Sequence, residues 1–132
     1  MEIPSDLFFA KTHEWVKFTD EGTALVGLSD HAQDALGDVA FINLCDEGDS
    51  LSAGEILGDI ESIKAVSDVY CPVGGTVIAV NEELLDNPER VNSDPYGSWL
   101  IELEDVEKNN ELLDAGLMKS FSRKRTKGSG LY

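Results

Sequence analysis

Short runs of alternating apolar and polar residues, each stopped by glycine or an acidic turn, fill most of this chain. His13-Glu14-Trp15-Val16-Lys17-Phe18 alternates and halts at Asp20-Glu21-Gly22. Thr23 to Leu28 follows, and the spacing predicts a hairpin across that turn. Val39 to Leu44 is β-branched and aromatic until Asp46-Glu47-Gly48-Asp49 breaks it. Glu55 to Ser62 and Thr76 to Asn81 are further strand patterns, each entered from a glycine. Trp99, Ile101 and Leu103 alternate with Leu100, Glu102 and Glu104, the pattern of a half-buried strand. Short strands at this spacing predict a mainly β fold, a small flattened barrel or sandwich.

Helical signals are few. Ser29 or Asp30 is suited to cap a short helix through Leu36, with Gly37 as its C-cap. Glu82 to Leu85 reads as one turn, ended by Asp86-Asn87-Pro88. Leu113, Leu117 and Phe121 recur at i, i+4 and i+8, predicting a C-terminal helical extension over about residues 105–127, which Gly116 divides. One domain over residues 1–127 is expected, with 128–132 as a flexible tail around Gly128-Ser129-Gly130. Gly54 to Ile60 and Gly75 to Val80 echo each other about the segment Ser62 to Pro72. A pseudo-twofold barrel and chance likeness between β-rich segments explain that echo about equally well.

Composition narrows the function. A chain of 132 residues that is 42% hydrophobic can bury one core. Its 26 acidic and 10 basic residues give a net charge of -16, which opposes sequence-independent nucleic-acid binding. No apolar run approaches the roughly 18 residues of a membrane span. All the acids fall within residues 1–118, whereas Lys119, Arg123, Lys124, Arg125 and Lys127 form an acid-free basic tail. The acidic body suits a soluble monomer and steers basic partners towards it. Met1-Glu2-Ile3-Pro4 is neither a signal nor a transit sequence, so a bacterial cytoplasmic setting is expected, or the mitochondrial matrix for a processed organellar form. Cys45 and Cys71 are then reduced thiols, too few for a disulfide scaffold or a zinc site.

Lys64 is the only basic residue between Lys17 and Arg90, set among Asp59, Glu61 and Asp68. On position alone a surface salt bridge would account for it. Its context says more. Glu61-Ser62-Ile63-Lys64-Ala65, then Ser67-Asp68-Val69, then Pro72-Val73-Gly74, resembles the lipoyl-lysine hairpin of the glycine cleavage system H proteins. Thr12-His13-Glu14-Trp15-Val16 is similar to that family's amino-terminal strand, and Gly27-Leu28-Ser29-Asp30-His31-Ala32-Gln33 with Leu36-Gly37-Asp38 to its first helix. Asn92-Ser93-Asp94-Pro95-Tyr96-Gly97 and Trp99-Leu100 are similar to its late loop and strand, so the resemblance runs over roughly residues 8–121 in family order. Two departures stand out. Ser98 alone separates Gly97 from Trp99, where the family has two residues, and Cys71 stands where a small apolar residue is usual. Cys71 is expected to be a small buried residue; exchange with a nearby lipoyl disulfide would need it exposed.

The resemblance implies a lipoyl-domain-like barrel-sandwich hybrid and a carrier that is not itself an enzyme. It implies lipoic acid in amide linkage to Lys64, with Glu61 and Asp68 flanking the attachment. It also implies a cleft for the loaded arm at Thr12, Glu14 and Asp68, with His31 nearby. There Glu14 is the expected partner of an ammonium group, and His31 reads more readily as a helix-packing residue. The implied partners are a pyridoxal-phosphate glycine decarboxylase, a tetrahydrofolate-dependent aminomethyltransferase and an FAD-dependent dihydrolipoyl dehydrogenase. A lipoate ligase or lipoyl transferase would attach the arm. The closest alternative keeps the arm and changes the partners: an H-like carrier donating lipoyl groups to 2-oxo acid dehydrogenases, or serving sulfur oxidation. A 2-oxo acid dehydrogenase lipoyl domain usually carries Asp-Lys-Ala, and a biotinyl domain wants methionines where Ile63 and Ala65 stand. A Schiff-base enzyme would need Lys64 in a desolvated pocket, which an exposed acidic hairpin does not provide.

Overall fold

Alternation puts one face of each short strand in the core, and a computed structural model, which describes residues 3–120, shows how the faces meet. In chain order its elements are β1 (Phe8–Phe9), β2 (Glu14–Phe18), β3 (Ala24–Leu28), α1 (Asp30–Leu36), β4 (Val39–Leu44), β5 (Ser50–Leu51) and β6 (Ile56–Ser62). They continue as β7 (Val66–Tyr70), β8 (Gly75–Val80), α2 (Glu82–Asp86), α3 (Arg90–Ser93), β9 (Ile101–Glu104) and β10 (Leu113–Asp114). Phe121, the basic residues from Arg123 to Lys127 and the 128–132 tail lie outside the described residues.

Two antiparallel sheets result, one of seven strands in the order β10-β1-β2-β3-β9-β8-β5 and one of three in the order β4-β6-β7. Neither closes into a barrel among the described residues, so the sandwich form of the expectation is the one realised. Val16, Ala24 and Val26 from the large sheet join Ile42, Leu57, Ile60 and Val69 from the small one in a single core cluster. The expected β2–β3 hairpin is present, with Phe18 opposite Ala24. Gly27 is required by packing: a Cβ there would sit 2.5 Å from the Trp15 ring. That ring is buried and donates its Nε1 hydrogen to the Pro95 carbonyl at 3.1 Å.

The first helix starts and stops where its caps predict. Ser29 Oγ accepts from the Ala32 amide at 3.1 Å, and Gly37 closes the helix at φ +76°. Elsewhere the sequence expectation needs correction. Residues 105–112 are not helical; Leu113 lies in β10 opposite Phe9, and helix begins at 115. Ala115 and Met118 are its buried residues, whereas Leu117 is exposed, so the Leu113-Leu117 stripe is not the packing face. Trp99 precedes β9 and does not belong to it. With Ser98 buried and donating to the Arg90 carbonyl at 3.0 Å, Trp99 packs half-buried against the second cluster of Leu7, Phe9, Trp15, Ala115 and Met118. The echoing segments around Gly54 and Gly75 give β6 and β8, which lie in different sheets.

Candidate functional site

Between β6 and β7 the chain reverses in a turn of Ile63, Lys64 and Ala65. Ser62 organises it. Its Oγ accepts from the amides of Lys64 and Ala65, both at 3.2 Å, and donates to the Ala65 carbonyl at 3.2 Å, while its own amide donates to that carbonyl at 2.8 Å. A second prop comes from outside the hairpin, where the Ile63 amide donates to the Asp38 carbonyl at 3.1 Å. Asn92 fixes that neighbouring segment by accepting from the Val39 amide at 2.8 Å and donating to the Gly37 carbonyl at 2.9 Å. The Lys64 stem runs past Gly37, where an added Cβ would lie 3.1 Å from Lys64 Cε. Lys64 is exposed and makes no salt bridge among the described residues, despite the acids around it in sequence. Glu61 pairs across the hairpin with Val66, and Asp68 with Asp59.

The opposite end of β6 and β7 opens onto a cleft of about 310 Å³ whose lining includes Thr12, Gly54, Tyr70 and Cys71. Val66 to Tyr70 is four strand steps, so the lysine turn and this cleft stand about 14 Å apart along β7. Beneath the rim sits Glu14, only 1% exposed. One carboxyl oxygen accepts from the Thr12 hydroxyl, and the other from the Tyr70 amide at 3.1 Å. Burial pushes the Glu14 carboxyl up to about 7, and those two donors moderate the rise. A buried carboxylic acid in this state is sensitive to any positive charge that enters beside it. Thr12 is a turn residue on the surface, and Glu14 is not a solvent-facing strand residue.

His31 lies on α1, stacked on buried His13 with ring centroids 4.3 Å apart, and is not among the lining residues of the cleft. Asp68 stands two residues before Tyr70 on β7 and is likewise not among the lining residues of the cleft. Cys71 is buried and its thiol donates to the Val73 carbonyl at 3.0 Å. Burial pushes that thiol up to about 12, so the expected packing role fits and a thiolate does not. Two contributors were invisible in the sequence. The Tyr70 amide that meets Glu14 depends on β7 crossing towards β2, and the Asp38 carbonyl that props the turn depends on Asn92 from α3. The runs Leu36 to Asp38 and Asn92 to Gly97, both already singled out as motifs, carried a hint of the second.

Comparison with known proteins bears on the family of the chain. A sequence model of the family described as Glycine cleavage H-protein matches residues 7–125. The chain is 50% identical over 124 residues to the glycine cleavage system H protein of Lachnoclostridium phytofermentans, covering 94% of this chain and 98% of that one. It is 52% identical over 115 residues to glycine cleavage system H protein 2 of Pseudomonas putida, covering 86% and 91%. Among solved structures, the crystal structure of a glycine cleavage system H protein from Mycobacterium marinum superposes with a TM-score of 0.84 at 35% identity, covering 94% of this chain and 99% of that one. With the family model, the curated relatives and the fold in agreement, the chain belongs to the glycine cleavage H-protein family.

Proposed function

We propose that this chain is the lipoyl carrier of a glycine cleavage system, taking an aminomethyl group from glycine decarboxylase to a tetrahydrofolate-dependent aminomethyltransferase. An FAD-dependent dihydrolipoyl dehydrogenase would restore the carrier, and a lipoate ligase or lipoyl transferase would load it. The observation that carries the reading is Lys64, an exposed amine on a hydrogen-bonded three-residue turn within the family's lysine motif. An amide at Lys64 Nζ needs an accessible amine and a base that does not wander, and both are present. When bound there, the lipoyl group supplies the dithiolane sulfur chemistry that this chain's own side chains lack.

The chain's contribution is presentation and shelter. Ser62, Asp38 and Asn92 hold the turn, so Lys64 projects from a fixed position. The cleft about 14 Å along β7 lies within reach of a lysine lengthened by an eight-carbon acyl chain. At that cleft we assign Glu14 to receive a cationic end group, with Thr12 and the Tyr70 amide orienting its carboxyl and Asp68 adding negative charge nearby. A cation held there would favour the Glu14 carboxylate over the acid. His31 supports the β2 end through its stack on His13. The cytoplasm, or the mitochondrial matrix, is the setting in which such a carrier meets these partners.

Reconstitution tests the assignment. Lipoylated chain mixed with the three enzymes, glycine, tetrahydrofolate and NAD should produce NADH in a glycine-dependent way, and Lys64→Arg should produce none. A chain that is lipoylated yet gives no glycine-dependent NADH serves some other lipoyl-dependent complex.

A further inference from the structure

The outer face of the small sheet gathers much of the chain's exposed apolar bulk. Register places Phe41, Glu61 and Val66 side by side in one cross-strand row, then Asn43, Asp59 and Asp68, then Ile56 opposite Tyr70. Residues paired in this way project from the same side of a sheet. In the second row Asn43 Nδ2 donates to Asp59 Oδ1 at 2.8 Å. Phe41 is 63% exposed, Val66 65% and, in the adjoining turn, Ile63 73%. Phe41 and Val66 flank Glu61 in the row nearest the turn, and Ile63 adjoins Lys64 in the turn itself, so these exposed apolar side chains share the hairpin end that carries Lys64, with carboxylates between them. Exposed apolar side chains gathered in this way mark an interaction surface more often than a bare solvent face.

We propose that Phe41, Ile63 and Val66 form the docking patch for the enzyme that acylates Lys64, and that this enzyme meets it with an apolar surface ringed by lysine or arginine. The proposal rests on the reading of Lys64 as the lipoylated residue. Reach selects this partner. An unmodified lysine extends only about 6 Å from its Cα, so a catalyst acting on Nζ has to cover the residues beside the turn. Enzymes that act at the far end of a finished arm have no such need. Charge selects the rim, since Glu61, Asp59 and Asp68 would be left facing any partner that lacked cations. In the step itself the neutral Nζ attacks the carbonyl of an activated acyl donor. A C–N amide bond forms, the donor's leaving group departs with its bonding pair, and the proton lost by nitrogen passes to solvent.

The test is steady-state acylation of the unmodified full-length chain by a bacterial lipoate ligase with ATP and lipoate. The double variant Phe41→Thr/Val66→Thr places β-branched, strand-favouring residues at both positions. It should raise KM for the carrier about tenfold while kcat stays within about twofold. Acylation of Lys64 by a small activated ester should proceed at the parent rate, and raising ionic strength should raise KM for parent and variant alike. An unchanged KM overturns the proposal, as does an equal loss with the small ester, which would place the effect in the turn rather than in docking. Failure of the parent chain to be acylated at all would overturn the carrier reading, and this proposal with it.

Discussion

Glu14→Gln keeps the length and shape of a buried side chain while removing its charge. Burial has moved this carboxyl from 4.5 to about 7. Between those values the unfolded chain releases a proton that the folded chain retains. Folding therefore loses stability as pH rises through that window, and the loss levels off above pH 7. A displacement of about 2.5 pH units at about 1.4 kcal/mol each amounts to about 3 kcal/mol. Glutamine serves the same neighbours: its amide oxygen accepts from the Tyr70 amide, and its NH₂ donates to the Thr12 hydroxyl. Urea unfolding followed by circular dichroism at pH 5 and pH 8 measures the effect. Other acids shift parent and variant alike, so the difference between the two proteins isolates Glu14. The unfolded carboxyl is already mostly ionised at pH 5, so the variant should gain about 2.5 kcal/mol over the parent between the two pH values. Parallel pH dependence in the two proteins would show that Glu14 is already ionised in the fold, and the reasoning would fail.

Further outcomes follow from the same contacts. Ser62→Ala removes the acceptor shared by the Lys64 and Ala65 amides, so hydrogen exchange at those two amides should quicken about fivefold while Val26 in the core stays protected. Equal exchange before and after would mean that the hydroxyl does not hold the turn. Gly27→Ala forces a methyl into the Trp15 ring and should cost about 3 kcal/mol in urea unfolding, with a red shift of tryptophan emission; a parent-like midpoint would contradict that packing. With its thiol near 12, Cys71 should be ionised in about one molecule in ten thousand at pH 8 and resist iodoacetamide until the chain unfolds. Rapid labelling of Cys71 in the native chain would refute its burial.

Local signals reached far into this fold because its elements are short and end in strong punctuation. The boundaries of β4 and α1 follow from β-branching, Ser29 and Gly37, all features of adjacent residues. Strand β7 escaped because its alternation is inverted: Val66 and Tyr70 point outward, while Ser67 joins Val69 on the inner side. A reader of apolar periodicity therefore sees a turn. The lysine was legible through its motif, and the Ser62 hydroxyl explains why serine suits that position. Burial of Glu14 was not legible, since a glutamate in an alternating strand reads as solvent-facing until β7 is laid beside it. The exposed row at Phe41 and Val66 was hidden for a related reason, because it exists only in cross-strand register.

The central claim is that Lys64 carries the arm. Intact-mass measurement of the chain after expression with lipoate and a lipoate ligase tests it most directly. One lipoyl-sized increment is predicted, located on the peptide containing Lys64 and absent from Lys64→Arg. An unmodified parent chain, or an increment that survives in Lys64→Arg, would contradict the account.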